Sequence, residues 1–132
     1  MAKLTEEMKE MIGKQQAFVA TASRTGTPDI GPKRSTRVLD DEHLIFTEMT
    51  GGKTYENLQQ NPQLCIAVVD RDQMSGYRFY GKAELLTSGP IFEAAVQGAK
   101  QKNFPLPKAV VKIKIDEIYN LGMKGGAGKK IA

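Results

Sequence analysis

The run Leu64-Cys65-Ile66-Ala67-Val68-Val69 constrains this chain more than any other stretch. It is continuously apolar, which reads as a strand buried on both faces. Asn61-Pro62 stops the segment before it, and Asp70 to Gly76 follows as a polar loop. Beyond that loop Tyr77 to Thr87 reads as a second, longer strand, with Gly81 inside it. Strand following strand through the middle of the chain predicts a mostly antiparallel sheet.

The flanking segments extend that pattern. Leu4, Met8, Met11 and Ile12 recur at helical spacing and predict an amphipathic helix over 5–15, with Glu6 and Glu7 in its first turn and Gly13 at its end. Ala17 to Ser23 alternates as a strand, and Arg24-Thr25-Gly26-Thr27-Pro28 turns the chain. Ile30 to Leu39 is read as one strand, with Pro32 marking an edge or a bulge. Asp40-Asp41-Glu42 is a polar turn into a short strand from Leu44 to Thr47. Lys53 to Gln60 is a short helix. Pro90 opens another, with Ile91, Phe92, Ala95, Val96 and Ala99 on one face, broken by Asn103-Phe104-Pro105-Leu106-Pro107. Ala109 to Ile115 alternates Val111, Ile113 and Ile115 against Lys112 and Lys114, and can continue to Leu121. The expected fold is mainly β: a six-stranded antiparallel barrel with about three short helices, closing readily at this length.

The 132 residues are expected to form one domain, 1–132, with an N-terminal helix (1–15) and a flexible Gly/Lys-rich tail (122–132) in which Lys124, Lys129 and Lys130 lie among glycines. No apolar run approaches the roughly 20 residues of a membrane span. The first residues lack the apolar region of a signal peptide, so the expected compartment is the cytoplasm. The single cysteine, Cys65, agrees, because it cannot close an internal disulfide. It sits in an apolar run and reads as a small core residue. One Cys and one His exclude a zinc site built from nitrogen and sulfur ligands. That histidine, His43, lies in a turn after three acids, which leaves no nucleophilic triad. The acids Asp40, Asp41 and Glu42 are turn residues, and no acid pair sits in an apolar context.

The chemical signal lies in two cationic segments. Lys33, Arg34 and Arg37 fall within five residues; strand periodicity would put Lys33, Ser35 and Arg37 on one face and Arg34 and Thr36 on the other. This is either a charged edge that resists aggregation or a cationic wall. Lys53 then stands in the first turn of a helix, after Gly51-Gly52 and before Thr54. A helix start already carries partial positive charge, so a lysine there gains a purpose if an anion binds. Gly52-Lys53-Thr54 matches the end of a P-loop, but Thr47 stands where its first glycine belongs, and the surrounding strands do not alternate with helices. Triphosphate hydrolysis is therefore rejected, while a phosphate at this turn is not. Bland readings remain: a solvated loop with Lys53 screened by Glu48 or Glu56.

Taken together, residues 17–85 resemble a known family. A Gly-x-Pro turn, a basic strand, Val38-Leu39-Asp40, the Gly-Gly-Lys-Thr turn, a helix ending at Asn61-Pro62, Val68-Val69-Asp70 and Tyr77-Arg78-Phe79-Tyr80-Gly81-Lys82-Ala83-Glu84 follow in order. The order is similar to the pyridoxamine 5'-phosphate oxidase-like split β-barrels that bind flavin mononucleotide (FMN), especially the small bacterial FMN-binding proteins. The resemblance implies a Greek-key barrel acting as a homodimer, with FMN at the subunit interface. It implies a phosphate held by Gly52, Lys53 and Thr54 with help from Lys33, Arg34 and Ser35. It also implies an isoalloxazine and ribityl chain lying along Thr47, Glu48, Met49 and Thr50. The histidine and arginine that bind substrate phosphate in true pyridoxamine-phosphate oxidases have no counterpart in Tyr119 to Lys124. The leading expectation is an electron carrier or small flavin oxidoreductase with no catalytic side chain, since the flavin carries the redox step. Its redox partner or small-molecule substrate is not specified. One rival is a non-enzymatic binding module for another anionic cofactor, haem or a deazaflavin, with His43 the one histidine able to ligate haem. The other is nucleic-acid binding through the basic strand and tail, which would need Tyr77, Phe79 and Tyr80 as a stacking platform.

Overall fold

The computed structural model describes residues 2–123 and 125–132; Met1 and Lys124 of the tail lie outside the described residues. The elements run α1 (Glu6–Lys14), β1 (Ala17–Ala22), β2 (Pro28–Pro32), β3 (Arg37–Asp40), β4 (His43–Glu48), α2 (Lys53–Gln60), β5 (Gln63–Asp70), β6 (Ser75–Leu86), α3 (Pro90–Gln101) and β7 (Ala109–Asn120). The described residues thus form seven strands, not six, in a single sheet of order β2-β1-β5-β6-β7-β4-β3. All neighbouring pairs are antiparallel.

The extra strand comes from a break in the expected Ile30–Leu39 strand. Pro32 has no N–H to continue a ladder. Immediately after it, the Thr36 N–H and hydroxyl both donate to the Lys33 carbonyl, at 3.1 and 2.8 Å, closing a turn. This break shapes the whole molecule. β2 and β3 are the two outer strands of the sheet, six strand spacings apart. In a flat sheet that separation is about 29 Å. The chain from Pro32 to Arg37 reaches at most about 17 Å even when extended. The sheet must therefore roll until its edges approach, which makes it a barrel.

The inward residues form one core. Val19, Leu44, Phe46, Ile66, Val68, Phe79, Val111, Ile113 and Ile118 are buried together with Met8, Met11 and Ile12 of α1. The alternation read from Val111, Ile113 and Ile115 is the inward face of β7. α1 starts at Thr5, whose hydroxyl accepts from the Met8 N–H at 3.3 Å. α2 is fixed to the barrel by a buried bond in which Asn57 Nδ2 donates to Thr21 Oγ1 of β1 at 3.0 Å. β6 and β7 approach closely at Gly81, where a Cβ would run into the Lys114 carbonyl oxygen; the register shifts by one residue there. The tail, expected to fray, folds back instead: Ile131 N–H donates to the Ile118 carbonyl at 2.7 Å, and Tyr119 bridges to Lys130. Of the apolar face expected on α3, only Ala99 is fully buried. No helix among the described residues is long and apolar enough to cross a membrane.

Candidate functional site

The break that closes the barrel also opens a cleft of about 800 Å³. Its walls are residues 32–37, Thr47 to Thr50 at the end of β4, and the face of α3 carrying Ala94, Ala95, Gly98 and Ala99; Lys102 and Phe104 border it. Lys33, Arg34, Ser35, Thr47, Glu48, Met49 and Thr50, all expected at the site, line this one cleft. Gly52, Lys53 and Thr54 do not. Lys53 is 54 % exposed and 3.6 Å from Glu56, the screening partner considered from the sequence. Thr54 is buried beneath the start of α2. Gly52 caps α2 without a side-chain bond, so that helix start keeps its backbone donors. Gly51, with φ of 69°, turns the chain between the two regions, and the Lys108 side chain packs over it.

Strand periodicity does not survive from 33 to 36, because the turn replaces the strand. Ser35 takes over the missing ladder. Its hydroxyl accepts from the Thr47 N–H at 2.8 Å and lies 3.3 Å from the Thr47 carbonyl, to which it donates. One side chain thus pins the crossing segment to β4. Arg37, the cation that the resemblance left out of the site, lines the cleft as well. Its Nη1 donates to the Ser35 carbonyl at 2.7 Å and to Thr47 Oγ1 at 3.3 Å. Burial lowers its pKa from the ordinary guanidinium value, which still leaves it charged at neutral pH. The signal that could have found it is its membership of the three cations within five residues, not the alternating face, which the turn removes.

Glu48 is expected at the site, but its pairing with Lys33 is not. Its side chain is 1 % exposed and pairs with Lys33 Nζ at 3.2 Å. Its second carboxylate oxygen accepts from the Thr50 and Gly51 N–H groups, at 3.3 and 3.2 Å, and from the Thr50 hydroxyl at 3.4 Å. The Lys33 ammonium also sits 5.7 Å from the centre of the Phe46 ring. Arg34 and Lys102 are exposed cations of the lining. The cleft therefore combines cations and hydroxyls from the strand side with small apolar residues from α3. His43 is elsewhere: its ring nitrogen Nδ1 is 2.8 Å from Asp40 Oδ1, and it does not line the cleft.

A rolled antiparallel sheet with a cationic and apolar cleft at its crossing segment defines a small β-barrel with a cofactor-sized cleft. The chain belongs to the pyridoxamine 5'-phosphate oxidase family, whose profile it matches over residues 4–122. It is 36 % identical over 135 residues to an uncharacterized protein of Methanocaldococcus jannaschii, covering 100 % of this chain and 90 % of that one. The crystal structure of HupZ from Group A Streptococcus superposes with a TM-score of 0.86 at 44 % identity, covering 96 % of this chain and 98 % of that chain. An FMN-binding protein from Syntrophomonas wolfei shares the fold, with a TM-score of 0.74 at 23 % identity over 87 % of this chain and 84 % of that one.

Proposed function

We propose that the protein binds FMN in the 800 Å³ cleft and works as a redox protein, either an electron carrier or a small flavin oxidoreductase. One observation carries the reading: a single cleft of cofactor size joins guanidinium groups and hydroxyls to a helix face of small apolar residues. FMN needs both, a polar end for its phosphate and a flat apolar wall for its ring. Arg34 and Arg37 would hold the phosphate, because the hydroxyls of Ser35 and Thr50 already donate to the Thr47 carbonyl and to Glu48. The chain from Thr47 to Thr50 and the Ala94, Ala95 and Ala99 face would flank the ring. Lys53, paired with Glu56 on α2, stands outside the lining in this arrangement. Bound FMN supplies electron and hydride transfer itself. The protein's own residues bind, orient and exclude water, and Glu48 is tied up by Lys33 and the turn. The visible spectrum of the purified protein, with FMN titrated into it, tests the reading. Yellow colour or saturable uptake is expected; protein that is colourless and takes up no FMN overturns it.

We further propose a homodimer. Phe18, Ala67, Arg78 and Tyr119 align across β1, β5, β6 and β7 on the outward face, and the next row is Ile30, Ala20, Cys65, Tyr80 and Glu117. Ile30, Phe18, Val69 and Tyr80 are exposed large apolar residues of that face. Arg78 lies over the Tyr80 and Tyr119 rings, at 5.3 and 5.1 Å, with Nε buried and unpartnered among the described residues. A second copy seated there would cover the apolar rows and offer acceptors to Arg78. Light scattering should give twice the chain mass, reduced to one by Val69→Lys; a monomeric parent protein overturns this.

A further inference from the structure

We propose that Glu48 sets how strongly the cleft attracts anions, by withholding the Lys33 ammonium from the ligand. For the identity of the ligand this rests on the flavin reading; for the anion chemistry it rests on the wall of the cleft alone. Both residues border the cleft, Lys33 with 20 % of its side chain exposed and Glu48 buried behind it, so the pair lies directly at the wall that a ligand meets. The carboxylate divides its work. One oxygen holds Lys33 Nζ at 3.2 Å, and the other holds the Thr50 and Gly51 amides. The ammonium is further satisfied by the Phe46 ring and retains 20 % side-chain exposure. Of four cations in the lining (Lys33, Arg34, Arg37 and Lys102), one is thus neutralised from within. A pair buried to this extent is a costly way to gain stability, because desolvation cancels much of the attraction. A role in setting ligand charge accounts for what stability does not.

The arrangement makes two variants behave in opposite ways to the expectation for a direct phosphate ligand. In Glu48→Gln the amide oxygen can still accept from the turn, but Lys33 loses its counter-charge and turns to the cleft. In Lys33→Met/Glu48→Gln both charges leave together, and the cations available to a ligand stay as they were. FMN and riboflavin share ring and ribityl chain, so the ratio of their affinities isolates the phosphate. Both are titrated by fluorescence quenching. Glu48→Gln is expected to raise the preference for FMN about tenfold, the lower end of one charge-assisted hydrogen bond, and to steepen its salt dependence. The double variant is expected to keep the parent ratio within about twofold, as for uncoupled changes. An unchanged or reduced preference in Glu48→Gln overturns the proposal. So does a tenfold loss in the double variant, which would mean that Lys33 meets the phosphate directly. If Glu48→Gln does not fold, the double variant decides. If neither flavin binds the parent protein, the flavin reading fails. The proposal is then judged on inorganic phosphate, followed at the Thr50 and Gly51 amide resonances in the same variants: tighter binding in Glu48→Gln supports it, and equal or weaker binding overturns it.

Discussion

Replacing Arg37 by Met should separate phosphate recognition at the crossing segment from recognition at the start of α2. A guanidinium carries five N–H donors, two of them on Nη1. Those two go to the Ser35 carbonyl at 2.7 Å and Thr47 Oγ1 at 3.3 Å. Three donors on Nε and Nη2 remain for a ligand. Loss of one charge-assisted bond in this half-buried setting costs about 1.5–3 kcal/mol, roughly a tenfold to hundredfold rise in Kd for FMN. Arg37→Met also releases the Ser35 carbonyl, which could loosen the wall for any ligand. Riboflavin controls for that, since it lacks the phosphate but meets the same wall. Arg37→Lys keeps the charge without the planar fork and should fall between the parent and Arg37→Met. The assay is quenching of flavin fluorescence at fixed ionic strength. Retention of the parent FMN-to-riboflavin ratio in Arg37→Met, within about twofold, would refute the reasoning. Lys53→Ala is the counterpart. Lys53 is exposed and close to Glu56, so its removal should cost under about 1 kcal/mol. A larger loss there than in Arg37→Met would return the phosphate to Gly52-Lys53-Thr54, where sequence reasoning put it.

Two further outcomes follow from groups away from the cleft. Asn57→Ala strands the Thr21 hydroxyl in the interior and should destabilise the fold by about 1–3 kcal/mol, read as a lower midpoint in chemical denaturation; Asn57→Leu combined with Thr21→Val should recover part of that loss, and an unchanged midpoint in the single variant contradicts the role given to this bond. Burial pushes the Cys65 thiol above its ordinary value, with Arg78 opposing more weakly. Alkylation of Cys65 should therefore be slower than that of a free thiol at neutral pH and rise only above the usual pKa of about 8.5, and mass spectrometry showing rapid modification at pH 7 would contradict this.

Much of the barrel was legible because period-2 alternation and strand spacing are local. Val111, Ile113 and Ile115 needed no knowledge of their neighbours to be placed inward. Pro32 signalled an edge or a bulge, but not that the strand would end and restart at the opposite edge. That depends on the Thr36–Lys33 turn and on where β1, β5, β6 and β7 put the two edges, which are long-range facts. The same limit applies to the cleft. Seven of the expected residues meet there because they flank the crossing segment and the end of β4. Lys53 belongs to the same turn in sequence, yet α2 carries it out of the lining. The pairing of Lys33 with Glu48 joins positions 15 apart, so no local pattern announces it. The α3 face read as core for a related reason: small apolar residues at helical spacing look alike whether they fill an interior or wall a cavity.

The four residues from Lys33 to Thr36 also link the ligand to the completion of folding. Each N-terminal hairpin, β1 with β2 and β3 with β4, can form from nearby sequence. Their distance apart is fixed only when β5, β6 and β7 have assembled between them, through contacts far apart along the chain. Ser35–Thr47 and Lys33–Glu48 continue the β3–β4 hairpin and can form with it, but the α3 wall of the cleft is set only once β6 and β7, which flank α3 in sequence, have assembled. The cleft is thus absent from any partly assembled chain, and a bound ligand stabilises the finished barrel alone by mass action. Recovery of binding during refolding would report closure of the last seam, a step that the appearance of strand structure by circular dichroism can precede but not follow.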